Sequence, residues 1–251
     1  MKRYKIISIS LLFVLSGCAE LSQIANQSMG GSLPLSQNEI IGGLKESLVV
    51  GASKSVNILG AADGYYKDEL VKILLPPEAD IIVKNINKIP GGTQMLEDVL
   101  LKINRAAEDA AKEAKPIFVN SISSMNIADA WGILKGGDNA ATNYLRSTTY
   151  GQLVALYKPK INSSLDKKLV GNISTNQSWD LLTGKWNEMA QTLVGQIAGF
   201  KPIEVKLDEY LTQKALDGLF LKIGDEEKLI RKDPLARGSE LLKRVFAKQD
   251  S

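Results

Sequence analysis

The chain has 251 residues, with 31 Lys and Arg against 28 Asp and Glu, a single Cys and no His. This composition excludes an intrachain disulfide, a Ser-His-Asp triad and a zinc site built from thiolate and imidazole ligands. Any catalysis would have to use Asp, Glu, Lys, Tyr, Ser or Thr, and the sequence predicts no cofactor and no metal.

The first 17 residues have the pattern of a secretory signal peptide. Basic residues lie near the start, an apolar run covers residues 6–15, and Leu15-Ser16-Gly17-Cys18 follows. A small-residue site that ends in Cys predicts cleavage before Cys18 and attachment of lipid to its thiol. An uncleaved membrane-spanning helix is disfavoured, because such a helix needs roughly 20 apolar residues.

Cleavage would leave the mature chain with 28 basic and 28 acidic side chains, because all three charges in residues 1–17 are basic. A balanced chain has no net basic field to attract nucleic acid or anionic lipid, so we expect no nucleic-acid partner. Residues 18–35 are small and polar, which predicts a flexible tether between the lipid on Cys18 and a domain at 36–250. Ala19 lacks the Asp of the inner-membrane retention signal. We therefore expect an outer-membrane lipoprotein facing the periplasm, with another extracytoplasmic membrane surface as the alternative.

The first half of the domain alternates helical patterns with breaks. A capping box at Ser36–Glu39 opens a helix in which apolar residues recur every three or four positions. Residues 71–74 form a short extended run, and a helix is expected over 77–89. A longer helix is expected over 93–114, and its alanine-rich second half would let another helix approach closely. Pro116 starts or bends the segment that follows.

Within the helix at 93–114, Asn104, Arg105 and Glu108 form a secondary candidate cluster. Arg105 can pair with Glu108 or Asp109, and Glu108 can pair with Lys112, at helical spacings of three and four residues. We favour a solvent-exposed helix face that carries these ion pairs over a binding site.

The stretch from Asp129 to Leu153 has the densest helix start and stop signals. One helix, capped by Asn126, should end at Gly136-Gly137, and Asp138 should cap the next. If these helices fold back as an antiparallel pair, Asp129 and Arg146 meet at the same height. Asp129, Asp138, Thr142 and Arg146 are then either a polar pocket or an ion pair and caps that fix the hairpin, and we favour the structural interpretation.

The second half of the domain is also helical in pattern. Thr149–Gln152 resembles a capping box, and Pro159 predicts a kink or two helices end to end. A helix follows Gly171–Asn176, with its aromatic residues in the core. Residues 203–206 are extended and can pair with 71–74. Separate helices are expected after Asp208, at 225–231 and at 239–248. The sequence therefore predicts an all-α, single-domain bundle of about eight helices, with at most one minor pair of strands.

Several of these segments resemble the bacterial domain-of-unknown-function family 4197. They are NRAAE at 104–108, DAWGILKGGDNAATNYLR at 129–146, ALDGLF at 215–220, IRKDP at 230–234 and LLKRVF at 241–246. The resemblance, which includes the lipidation signal, extends over nearly all of the mature chain. The resemblance implies an almost entirely helical extracytoplasmic domain and supplies no activity.

Three functions are compatible with these observations. The first is a non-enzymatic lipid-anchored module of the cell envelope that binds a protein or a cell-wall component. The second is a carrier of a small apolar ligand held between helices. The third is a hydrolase that uses Asp129, Asp138 and Arg146 without His or Cys. We favour the first because of the tether, the helical fold and the absence of His and of a free Cys, and because one carboxylate of the hydrolase cluster already has a capping role.

Overall fold

The computed structural model describes residues 34–249. Within that range the chain folds into ten α-helices and no strand, which confirms the all-α class. The helices are α1 Gln37–Leu59, α2 Asp80–Lys84, α3 Gly92–Ala111, α4 Ala114–Ser124, α5 Ala130–Leu134, α6 Ala140–Asp166, α7 Thr175–Ala190, α8 Leu193–Ile197, α9 Leu207–Lys232 and α10 Glu240–Phe246. The described helices exceed the expected eight, and three of them, α2, α5 and α8, have only five residues each.

All ten helices belong to one compact unit that begins at Gln37. The predicted signal peptide, Cys18 and residues 19–33 of the tether lie outside the described residues. Among helices in the described range, none is both long and apolar enough to cross a membrane.

The long helices α1, α6 and α9 form the centre of the fold. Helix α9 packs along both α1 and α6, and α1 also contacts α4 and α10. The buried face of α1 repeats every three or four residues, as the sequence predicts, although it begins with Ile40 and not with the expected Ile41: Ile40, Leu44, Leu48, Ala52, Val56 and Leu59. This periodic apolar face explains why the segment folds as one uninterrupted helix.

Helix α3 lies against α6 and α7. Its second half buries Ala106, Ala107, Ala110 and Ala111, whose small side chains permit close helix approach as expected. From α7, the fully buried Trp186 stacks against Phe200 with ring centroids 4.9 Å apart. The aromatic residues of α7 are therefore core residues.

The predicted helix start at Thr149 is wrong, and so are separate helices on either side of Pro159 and of residue 225, because α6 and α9 are continuous. The kink at Pro159 stays a prediction. The Thr149 hydroxyl does not cap a helix but donates to the Leu145 carbonyl one turn earlier, at 2.6 Å. Burial on the same face continues past Pro159, so packing along the whole helix offsets the lost backbone hydrogen bond. In α9 the buried face likewise runs through residue 225 without interruption.

The expected strand pair between 71–74 and 203–206 is also wrong. Each segment is extended, but its backbone binds an asparagine side chain instead of another strand. Asn104 accepts from the Ile73 N–H at 2.9 Å and donates to the Ile73 carbonyl at 2.8 Å. Asn187 accepts from the Ile203 N–H at 2.7 Å and donates to the Ile203 carbonyl at 3.0 Å. A side-chain amide thus replaces the ladder partner that the sequence pattern suggests.

Candidate functional site

Asp129 and Arg146 do not form the predicted ion pair. Asp129 is exposed and caps α5, where its carboxylate accepts from the Gly132 N–H at 2.7 Å. Arg146 pairs instead with Asp217 of α9, and its guanidinium lies 5.0 Å from the Tyr150 ring centroid. The expectation failed because α9 supplies a carboxylate to α6, a contact that local spacing cannot reveal.

Asp138 and Thr142 lie beside α9 but have different partners. Asp138 pairs with Lys232 at 2.7 Å, and this hydrogen bond lowers the pKa of its carboxyl group. It does not cap α6, whose N-cap residue is Asn139. The Thr142 hydroxyl donates to the carboxylate of Glu227 at 2.6 Å. The four predicted residues therefore have different partners and do not assemble into one polar pocket.

Glu227 was not among the predicted site residues, yet it caps the start of α6. Its carboxylate is fully buried and accepts from the N–H groups of Ala141 and Thr142 at 2.9 and 2.7 Å. The first N–H groups of a helix lack partners within the helix and carry partial positive charge. The buried carboxylate of Glu227 accepts hydrogen bonds from these N–H groups and places a negative charge beside their partial positive charge.

Arg231 lies one turn after Glu227 on α9 and is 3% exposed. Its Nε donates to Glu227 at 2.8 Å, and its Nη atoms donate to the carbonyls of Leu134 and Ile133 at 2.8 and 3.1 Å. Those carbonyls belong to the last residues of α5. Glu227 and Arg231, which we call the α9 clamp, therefore hold the end of α5 and the start of α6 together.

Asn104, Arg105 and Glu108, which we call the α3 clamp, also bind a neighbouring segment. Glu108 is 3% exposed and accepts from the N–H groups of Tyr65 and Tyr66, both at 3.1 Å. The predicted Arg105–Glu108 ion pair is confirmed. The expected solvent-exposed face is wrong for Asn104 and Glu108, because the chain between α1 and α2 covers them.

Arg105 extends the α3 clamp towards the surface. It donates to Asp63 at 2.6 Å, and Asp63 adopts a left-handed backbone conformation with φ of 67°. Hydrogen bonds from Lys67 and then Arg105 lower the pKa of Asp63. Two residues after Asp63, Tyr65 lies in the core. Its hydroxyl donates to the Ala215 carbonyl at 2.7 Å, and its ring contacts Gly218. A Cβ at Gly218 would lie 2.7 Å from that ring, so only glycine fits.

Both clamps thus direct their polar atoms at backbone groups and side chains of this chain. These contacts account for the buried polar side chains without a bound substrate, because each buried oxygen or nitrogen described above already has a hydrogen-bond partner. Within residues 34–249 no group of three or more Asp, Glu, Cys or His side chains is arranged to hold a metal ion.

The segment held by the α3 clamp forms one wall of an open groove. A concavity of about 320 Å³ lies between Leu70–Leu74 and α9, and a second of about 400 Å³ extends towards Leu96 and Leu100 of α3. Leu74, Tyr210 and Lys214 line both, so we name the combined feature the Tyr210 groove.

The Tyr210 groove has exposed leucines, and its charged lining residues are the basic Lys72 and Lys214 and the acidic Asp80 and Asp217. Leu70, Leu74 and Leu221 are 76%, 60% and 42% exposed. The Tyr210 hydroxyl donates to the carbonyls of Leu74 and Leu75 at 3.0 and 3.2 Å, so it fixes the wall. Burial raises the pKa of Tyr210, helped by the nearby carboxylates of Glu78 and Asp80.

Comparison with known proteins gives one result. The family model described as "Protein of unknown function (DUF4197)" matches residues 34–247, nearly the whole described range. The searches of curated proteins and of solved structures returned no match.

Proposed function

The chain belongs to the DUF4197 family, and we propose that it is a lipid-anchored module of the cell envelope that binds a partner protein through the Tyr210 groove. The lipid anchor rests on the lipidation signal at Cys18, and the missing Asp at position 19 favours the outer membrane facing the periplasm. The exposed apolar wall of the groove is the observation that supports binding.

The apolar wall is non-helical, and hydrogen bonds from the α3 clamp hold its backbone on the side away from the groove. Leu70 and Leu74 point outward while Ile73 between them is 2% exposed and bound to Asn104 through both backbone groups. Alternation of this kind presents apolar side chains on a fixed backbone, so little conformational entropy is lost when a partner binds. Exposed apolar patches of this type mark interaction sites on monomeric proteins.

The charges along the groove indicate what the partner segment carries. Lys214 forms no ion pair within the described residues, and Asp217 is already neutralised by Arg146. The ion pair of Lys72 is a long contact of 3.8 Å with Glu69, whose side chain is 84% exposed, and its ammonium also lies over the Tyr66 ring, 5.0 Å from the centroid. We propose that the partner supplies a segment with apolar side chains next to a carboxylate, which would pair with Lys214.

Site-specific photo-crosslinking in cells tests this proposal. A photoreactive amino acid at Leu74 should crosslink to one protein, whereas the same group at Leu156 on α6, which is 47% exposed, should not. Lys214→Glu should abolish the crosslink at Leu74, because it places like charges together. Mass spectrometry of the crosslinked peptide should identify an apolar segment that contains Asp or Glu. Equal crosslinking at both positions, or crosslinking unchanged by Lys214→Glu, would contradict the proposal.

The apolar second half of the groove favours one alternative function, carriage of a small apolar ligand. Leu75, Val83, Leu96 and Leu100 line its concavity of about 400 Å³, a volume in the usual range of ligand pockets. Native mass spectrometry of the protein purified without detergent distinguishes the two functions. A bound small molecule that is lost in a Leu100→Trp variant supports carriage.

The lipid anchor has its own test. Mass spectrometry of the membrane-associated protein should find diacylglycerol on Cys18 as the first residue, and Cys18→Ala should release the protein from the membrane fraction. Fractionation of the wild-type protein should place it in the outer membrane.

A further inference from the structure

The short helix α8 forms an exposed apolar tip at the end of α7. Leu193, Val194 and Ile197 are 74%, 76% and 79% exposed, and we call these three side chains the α8 tip. Such a contiguous group of large apolar side chains on an otherwise polar surface requires a covering partner.

The tip is built rigidly. Thr192 caps α8 by accepting from the Gly195 N–H at 3.0 Å. Gly195 is buried so tightly against the end of α7 that a Cβ there would lie 2.2 Å from the Met189 carbonyl oxygen. The Phe200 N–H donates to the Gly195 carbonyl at 2.9 Å, and its ring stacks on Trp186. With Gly195 facing inward, its neighbours on α8 are held outward.

The charges beside the tip are basic. From Met189 to Ile203 the sequence contains one charged residue, Lys201. Lys88 lies over the ring of Phe200, 4.9 Å from its centroid. Neither lysine forms an ion pair within the described residues. Lys201 lines a concavity together with Glu78 and Glu204, and Glu188 at the end of α7 pairs with Lys185 at 3.2 Å. The tip thus combines outward apolar side chains with adjacent cations.

We propose that the α8 tip inserts into an anionic membrane surface, with Leu193, Val194 and Ile197 among the acyl chains and Lys88 and Lys201 at the phosphates. Apolar side chains flanked by lysines are the composition of interfacial membrane-binding segments. The contact depends on the charges beside the tip and not on the net charge of the chain, because headgroup attraction acts only within about 10 Å. The proposal does not depend on lipid at Cys18 or on the Tyr210 groove.

A fluorescent depth measurement tests the insertion in the full-length chain. Cys18→Ser leaves no other thiol, so Val194→Cys can carry a single environment-sensitive dye such as NBD. The matched control carries the dye through Leu235→Cys, since Leu235 is 93% exposed but far from α8 in sequence. Because the dye reports only on its own surroundings, membrane contacts elsewhere in the chain affect neither signal.

With vesicles of phosphatidylethanolamine and phosphatidylglycerol, the dye at 194 should shift to shorter wavelength and be quenched by nitroxide-labelled acyl chains. The dye at 235 should show neither effect. Phosphatidylcholine vesicles, or the change Lys88→Gln with Lys201→Gln, should reduce quenching at 194 by about fivefold or more. Equal signals at 194 and 235 would overturn the insertion. Insertion that is independent of lipid charge and of the lysines would overturn the anionic surface.

Discussion

In the α9 clamp the side chains of Arg231 and Glu227 are 3% and 0% exposed, whereas Arg105 of the α3 clamp and its partner Asp63 are 24% and 29% exposed. The clamps also hold different things. The α9 clamp joins two helices that pack on the centre of the fold, and the α3 clamp holds the non-helical chain between α1 and α2.

This difference indicates what each clamp is for. Losing the α9 clamp would leave a charge buried among packed helices, where water cannot replace the lost partner. Losing the α3 clamp would free a segment that can open to water while the helices stay packed. We infer that the α9 clamp stabilises the whole fold and that the α3 clamp fixes one wall of the Tyr210 groove.

The largest expected effect follows from Arg231→Met. This change leaves the buried Glu227 carboxylate without its cation and removes one of the donors to the Ile133 and Leu134 carbonyls, so the free energy of unfolding should fall by about 3–5 kcal/mol. Urea unfolding measures the loss. The control Lys228→Met removes an exposed lysine from the same helix and should cost about 1 kcal/mol or less. Similar losses in both variants would remove the distinction between buried and exposed charges.

An intermediate effect is expected for Asn104→Ala. The Ile73 N–H and carbonyl lose their partners, which costs about 1–3 kcal/mol unless the segment opens to water. Opening limits the cost, so the loss should be smaller than for Arg231→Met. Asn85→Ala, which removes a local bond to the Ile81 carbonyl at 2.9 Å, should have little effect. The crosslink at Leu74 should weaken in the Asn104 variant and persist in the Asn85 variant.

A small effect is expected for Arg146→Ala, although the sequence placed this residue in the central cluster. The Arg146–Asp217 pair is 43% and 40% exposed, so the loss in urea unfolding should be about 0–1 kcal/mol. A loss of 3 kcal/mol or more would show that this pair stabilises the fold as strongly as the α9 clamp does. The comparison between the two clamps would then leave out a major contribution.

At neutral pH the smallest loss of stability is expected for Asp63→Asn. The variant should differ from the wild type mainly in how its stability changes as the pH is lowered. Because the folded state lowers the pKa of Asp63, its ionised form stabilises the fold above the ordinary pKa of a carboxyl group. That contribution is lost as the pH falls below about 4. Stability measured between pH 6 and about pH 2 should therefore fall less steeply in Asp63→Asn than in the wild type. Parallel profiles would contradict the role of Asp63 in extending the α3 clamp.

Local sequence patterns predicted contacts that lie within one helix. The apolar face of α1 and the Arg105–Glu108 pair follow from three- and four-residue spacing, and both are present. Contacts between distant segments were missed. Glu227 binds Thr142, which lies 85 positions away in the sequence. The local sequence shows only a Glu and an Arg four residues apart, a spacing that is common on exposed helix faces.

The wrong strand prediction has a similar cause. Val71–Leu74 has the apolar, extended pattern of a strand, and nothing local reveals that Asn104, 31 residues later, replaces the partner strand. The one sequence signal for Arg231 was the IRKDP segment at 230–234, which is among the segments that resemble the family. Its role became clear only when α5 and α6 were placed beside α9.

Amide hydrogen exchange on two variants tests the central claim most directly. Glu227→Gln should raise exchange throughout the slowest-exchanging helices, α1, α6 and α9, because it lowers global stability. Asn104→Ala should raise exchange at residues 63–75 and leave those helices protected. Increased exchange confined to residues near 133–142 in Glu227→Gln, or spread over all helices in Asn104→Ala, would contradict the division between a clamp for the fold and a clamp for the groove.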